Sequence, residues 1–245
     1  MRLPAADTNT TSSHALRGLK VRWFGHSTFL ITSPKSVRVL FDPFFTNNPS
    51  CPASVKRPGA VDLMLITHGH SDHCEDAATI ARETGAVVVA SPELAGWIER
   101  HGAKHVRPMN IGGRQHLAGI EIIMVPAVHS SSAPDGTYLG PATGFVIRFE
   151  NDLTIYFAGD TALFGDMRLI RDRYAPAVAF LPIGDRFTMG PEDAAIGAEW
   201  LGVKAIVPMH YGTFPELTGT PEELRTHARS RGMEVLELRP GVIVE

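Results

Sequence analysis

The chain has 245 residues, 44% hydrophobic and 20% charged, a balance that suits a globular domain with a sizeable core and excludes a disordered chain. Its formal net charge of −3, from 23 Lys+Arg against 26 Asp+Glu, gives no general attraction for nucleic-acid phosphates or anionic membranes. Two cysteines, Cys51 and Cys74, cannot build a disulfide framework, and no apolar run approaches the ~18 residues of a membrane span.

Residues 1–17 are polar and rich in Thr, Ser and Asn, without the apolar centre of a signal peptide. They read as a disordered leader before a single domain at 18–245, and the protein as cytoplasmic. Strands are predicted at 19–24, 28–32 and 37–41, the last ending at Asp42-Pro43. The run Leu63-Met64-Leu65-Ile66 reads as a strand buried on both faces. A helix is predicted over about 75–83, a strand at 86–90, and a helix opened by Pro92, capped by Ser91 and ending near Gly102. The second half repeats the style. Strands are predicted at 120–126, 143–149 and 153–158, the last two joined by an Asn151-Asp152 hairpin turn. A helix over about 164–173, a strand at 178–182, a helix at 191–201 and a strand at 205–208 follow. A helix at 222–231 and a strand at 242–244 complete the chain. Two similar halves with strands first and helices interleaved predict two sheets face to face with helices outside.

Eleven histidines are present, and the segment Thr67-His68-Gly69-His70-Ser71-Asp72-His73 holds three of them. Imidazole and carboxylate suit zinc, manganese or iron. The His-Glu-x-x-His spacing of a helix-borne site is absent. A turn eased by Gly69 instead points His68 and His70 one way, while Asp72 and His73 project from the start of a helix, so one segment can serve two adjacent cations. His129, Asp160 and His210 each follow a predicted apolar strand and are therefore expected at the same edge as His68.

The set His68-x-His70-x-Asp72-His73, with His129, Asp160 and His210, resembles the metallo-β-lactamase superfamily over about residue 19 to the C-terminus. Trp23-Phe24-Gly25-His26-Ser27-Thr28, Phe187-Thr188-Met189-Gly190-Pro191-Glu192-Asp193-Ala194-Ala195 and Pro208-Met209-His210-Tyr211-Gly212-Thr213 narrow the resemblance. They are similar to a branch of small bacterial metal-dependent hydrolases near ascorbate-6-phosphate lactonase, and the first of them also resembles N-acyl-phosphatidylethanolamine phospholipase D. The resemblance implies an α/β layered fold, a four-layer αββα sandwich. It implies two divalent ions, zinc or manganese with iron as an alternative. His68, His70 and His129 would hold the first, Asp72, His73 and His210 the second, and Asp160 would bridge both. It also implies a homo-oligomer, although no segment specifies an interface.

Two cations roughly 3.5–4 Å apart share a water and lower its pKa towards neutrality, which supplies the nucleophile for hydrolysis. Asp72 and His26 are the candidate catalytic side chains. Asp72 is placed to take a proton from that water. His26 either meets a substrate oxyanion or leaving group at the rim, or is a hydrogen-bonded structural residue. Asp42 either accepts the free ring N–H of a ligand histidine or merely forms a turn before Pro43. Phe44, Phe45 and the loop 46–58, together with residues 130–141, are candidate pocket walls. Tyr211 and Thr213 are expected to face substrate. The expected reaction is hydrolysis of a small-molecule lactone or phosphodiester. Nuclease activity finds no basic surface to support it, and an iron-dependent oxidoreductase on the same fold is the further alternative.

Overall fold

The computed structural model describes residues 14–245. The expectation of a disordered leader falls on residues 1–13 outside that range. His14–Leu16, expected to belong to the leader, instead forms a short 3-10 turn, because Leu16 is fully buried and its carbonyl accepts the Leu19 N–H.

The first half runs β1 (Lys20–Trp23), β2 (Phe29–Thr32), β3 (Arg38–Phe41), β4 (Leu63–Leu65), α1 (Ser71–Cys74), α2 (Ala77–Thr84), β5 (Val87–Ala90), α3 (Pro92–Arg100) and β6 (Val106–Pro108). The second half runs β7 (Arg114–Leu117), β8 (Ile120–Pro126), β9 (Thr143–Arg148), β10 (Thr154–Phe157), α4 (Met167–Tyr174), β11 (Val178–Pro182), α5 (Pro191–Leu201), β12 (Ala205–Met209), α6 (Pro221–Arg229), β13 (Glu234–Val235) and β14 (Ile243–Val244). These make two seven-stranded sheets, ordered β14-β1-β2-β3-β4-β5-β6 and β13-β12-β11-β10-β9-β8-β7. Each sheet joins an antiparallel ribbon to a parallel run, β3 to β6 in one and β10 to β13 in the other.

The two sheets pack face to face through aromatic side chains. Phe41 stacks on Phe157 with ring centroids 4.4 Å apart, and Phe29 meets Phe180 edge-on at 5.1 Å. Ala194, Ala195, Ala198 and Leu201 of α5 and Leu224 of α6 close the outer face of the second sheet, and Ile80, Leu94 and Ile98 of α2 and α3 close that of the first. The result is the expected αββα sandwich. The core includes Met64, Met109 and Met124, and both cysteines are buried and unpaired.

Three strands escape the sequence reading for one reason. β6, β7 and β13 are sheet edges, and their residues are polar or half-exposed, as edges that avoid pairing with other chains must be. The helix expected over 75–83 is α2, preceded by the separate short turn α1. Asp76, just before α2, accepts the Phe45 and Thr46 N–H groups on its carboxylate at 2.7 and 3.0 Å and ties the helix to the loop after Asp42. Ser91 occupies the N-cap position of α3 but makes no cap bond; its hydroxyl donates to the Leu139 carbonyl and anchors the loop 130–141. The Asn151-Asp152 turn forms as expected, with Asp152 at φ 61°. Helix α6 begins with a reciprocal capping box between Thr220 and Glu223.

All four residues of β10 are buried, so its two faces pack against different layers. Tyr156 is fully buried and its hydroxyl has no hydrogen-bond partner. An unsatisfied buried hydroxyl costs about 1–3 kcal/mol. Tyr156→Phe is therefore expected to raise stability by about 1 kcal/mol, read as a higher denaturant midpoint at unchanged slope. A loss of that size would contradict this packing.

Candidate metal centre

Four of the seven candidate ligands, and Asp42 beside them, sit just beyond the C-terminal end of a strand, on the same edge of the sandwich; His70 follows His68 in the same loop, and Asp72 and His73 lie in α1. Asp42 follows β3, His68 follows β4, His129 follows β8, Asp160 follows β10 and His210 follows β12. Both sheets thus contribute, and ligands distant in sequence meet where the inner faces open. The chain turns sharply at this edge. His26, Asp42 and His210 all have positive φ (56°, 42° and 56°), a strained conformation for residues with a Cβ. Gly159 allows the close approach that seats Asp160: a Cβ there would lie 2.7 Å from the Thr67 Cβ and 2.8 Å from the Thr143 carbonyl oxygen.

The structure brings all seven predicted ligands together. Ligand atoms of His68, His70 and His129 lie within 4.8 Å of one another, and so do those of Asp72, His73 and His210 with His26. A third such group, His68, His73 and Asp160, joins the first two. Asp160 Oδ2 stands 3.0 Å from His210 Nε2, 3.6 Å from His129 Nε2 and 3.9 Å from His68 Nε2, and its Oδ1 is 3.3 Å from His73 Nε2. One carboxylate thus faces histidines of both sets.

Asp42 resolves the open choice made from sequence. It is fully buried and accepts from the Thr67 N–H at 2.8 Å, the Thr67 hydroxyl at 2.7 Å and His73 Nδ1 at 2.8 Å. A carboxylate only accepts, so His73 carries its proton on Nδ1 and directs Nε2 at Asp160. The Thr67 hydroxyl spends its proton on Asp42 and accepts in turn from His68 Nδ1 at 3.0 Å, which directs His68 Nε2 inward. One buried carboxylate orients a histidine of each set. Thr67 was missed as a functional residue; its signal in the sequence was a hydroxyl directly before the first ligand histidine.

Of the two readings left open for His26, the structure bears out the hydrogen-bonded one rather than the rim position. It is fully buried, with Nε2 3.1 Å from Asp72 Oδ2 and Nδ1 3.0 Å from Thr213 Oγ1, and its ring lies 4.0 Å from that of His210. The Trp23 indole and the His210 N–H both donate to its carbonyl. Both ring nitrogens are engaged inside the protein, so His26 meets Asp72 and does not line the cavity. Thr213 faces His26, and Tyr211 stacks on Trp23 at 5.2 Å. Phe44 and Phe45 are buried, so the loop after Asp42 is packing and not a pocket wall. His14, His101, His105 and His116 are exposed and His227 is half-buried, all apart from the cluster, as expected.

The electrostatics fit cations. Burial keeps His68, His70 and His129 below the usual histidine range, hence neutral and able to bind metal. Burial together with the neighbouring His210 pushes His26 down to about 4. Burial would also lower His73, but the Asp160 charge and the hydrogen bond to Asp42 override it and hold it well above that range. Burial would raise Asp160, but His210 and His73 bring it well below the carboxylate range. His73 Nε2, Asp160 Oδ1 and His210 Nδ1 are buried without hydrogen-bond partners, and the first two face one another. Buried polar atoms left unpaired in a cluster of imidazoles and carboxylates are what a divalent cation satisfies.

A cavity of about 500 Å³ opens onto this cluster. His70, Asp72, His129, Asp160 and His210 form its floor, and Arg186, Phe187, Phe214 and Glu216, none of which the sequence reading assigned to the pocket, stand in its walls with Ser130 and Leu217. Asp72 is held below the carboxylate range because the His26 hydrogen bond and the nearby His73 outweigh the effect of burial.

The family described as the beta-lactamase superfamily domain matches residues 37–211. A UPF0173 metal-dependent hydrolase of Koribacter versatilis is 48% identical over 229 residues, covering 92% of this chain and 97% of its own. Another from Thermus thermophilus is 46% identical over 226 residues, covering 92% and 98%. Among solved structures, a metallo hydrolase from the archaeon Ignicoccus hospitalis superposes with TM-score 0.83 at 36% identity, covering 92% of this chain and 97% of that one.

Asp42→Asn keeps the shape but sets an amide N–H₂ against the donors of Thr67 or His73. It is expected to keep the fold by circular dichroism and to weaken metal binding about 10–100-fold in chelator competition. Unchanged affinity would remove Asp42 from the centre.

Proposed function

From the chain's membership of the beta-lactamase superfamily, as a metal-dependent hydrolase of its UPF0173 branch, we propose a dinuclear hydrolase of small-molecule ester-like bonds, a lactone or a phosphodiester. The observation that carries this reading is the two ligand groups, with Asp160 facing histidines of both, beneath one cavity. His68, His70 and His129 would hold one divalent ion, Asp72, His73 and His210 the other, and Asp160 both. Zinc or manganese suits these ligands. The ions would polarise the scissile group and acidify a water as nucleophile.

The chain's own residues set the geometry of the reaction. Asp160 presents two oxygens and would offset the repulsion between two cations held on either side of it. Asp72, whose side chain is 28% exposed, turns one oxygen to His26 and lines the cavity, where it can accept an O–H and orient the attacking water. His26 keeps that carboxylate ionised, so Asp72 serves as an orienting acceptor more than as a store for the proton. The cavity's volume of about 500 Å³ suits a small molecule. A net charge of −3 favours such substrates over nucleic acid.

Chelation is expected to abolish turnover on one class in a panel of lactone, ester and phosphodiester substrates, and restored Zn or Mn to recover it. Turnover unaffected by complete metal removal would sink the reading. Asp72→Asn should lower kcat beyond what its measured loss of metal explains; losses in equal proportion would reduce Asp72 to a ligand.

A further inference from the structure

We propose that the turn at residues 185–190 selects substrates bearing an anionic group, a carboxylate or phosphate, on an apolar body, with Arg186 receiving the anion. This inference rests on the hydrolase reading and names its substrate class.

The turn follows β11, the strand between those that place Asp160 and His210. It is built rigidly. Asp185 has φ 73°, donates its N–H to the Met189 carbonyl at 3.0 Å and accepts the Thr188 N–H at 2.8 Å. The Met189 N–H donates to the carbonyl of Thr161, the residue after Asp160, at 3.0 Å. The Thr218 hydroxyl reaches the Asp185 carboxylate at 3.3 Å. A strained, multiply bonded turn fastened to the ligand segment holds its tip in place relative to the centre.

That tip is Arg186-Phe187, and both residues line the cavity. Phe187 is 54% exposed, one of the few large apolar side chains left in solvent. Phe214 and Leu217 line the same cavity and extend its apolar wall. The Arg186 guanidinium lies 5.4 Å from the Phe187 ring centre and has no ion pair or hydrogen bond among the described residues. Its planar fork matches carboxylate and phosphate oxygens in pairs. Glu216 is the other non-ligand charge in the cavity and offsets Arg186 overall. With two divalent ions in place, Asp72 and Asp160 neutralise only half of the metal charge, so the cavity as a whole is positive and favours an anion.

The test uses the metal-loaded protein and alkyl hydroxamates of increasing chain length, whose hydroxamate head ligates the cations. Each carries a terminal carboxylate, phosphate or neutral carboxamide, and binding is measured by calorimetry. At the best length the carboxylate or phosphate should bind about tenfold tighter than the carboxamide. Arg186→Gln should erase that advantage and leave carboxamide binding unchanged. Whichever anion gains more identifies the substrate's charged group. Equal binding of all three termini at every length, an advantage that survives Arg186→Gln, or one governed by Glu216→Gln instead, would overturn the proposal. A neutral ester turned over equally by wild type and Arg186→Gln, with no anion preference in binding, would refute it and leave the hydrolase reading intact. Failure of any hydroxamate to bind would remove both.

Discussion

The centre depends on one buried carboxylate. Asp42 has no access to solvent and takes three hydrogen bonds, two from Thr67 and one from His73. Burying a carboxylate is costly unless every lone pair has a donor, so its presence fixes the groups around it. Through His73 directly and His68 by way of Thr67, it sets which ring nitrogens face Asp160. A metal site needs ring nitrogens aimed at one point, and this relay aims them before any cation arrives.

The fold delivers those groups by topology. Strands from both sheets end at one edge, and five of them lead within three residues to a polar residue of the centre. Aromatic packing between the sheets, Phe41 on Phe157 and Phe29 on Phe180, lies directly beneath that edge in the sequence: Phe41 precedes Asp42, and Phe157 comes three residues before Asp160. The core and the centre are therefore consecutive parts of the same strands. Positive φ at His26, Asp42 and His210 is the strain that aiming these side chains requires, and the surrounding hydrogen bonds sustain it.

Much of this was legible in the sequence. The ligand-rich segment after the Leu63–Leu65 strand and single polar residues after later apolar strands pointed to one edge, because buried strands announce themselves by continuous apolar runs. What was not legible depends on tertiary contact. Nothing local distinguishes a histidine at the rim from one sealed beneath it, and His26 proved to be sealed because Asp72 and Thr213 arrive from distant segments. The pocket wall was expected from Phe44 and Phe45, but those pack inward, and Phe187 and Phe214 supply it. The polar edge strands β6, β7 and β13 carry no apolar periodicity to read. Thr67, assigned no role from sequence, gains one only beside Asp42.

The dinuclear centre is tested most directly by the metal content of the purified protein, measured by plasma mass spectrometry beside the His129→Ala and His210→Ala variants after reconstitution. The account predicts two equivalents of divalent metal per wild-type chain and a loss of metal in each variant, with both variants folded. No metal above background in the wild type, or full occupancy in both variants, would contradict it.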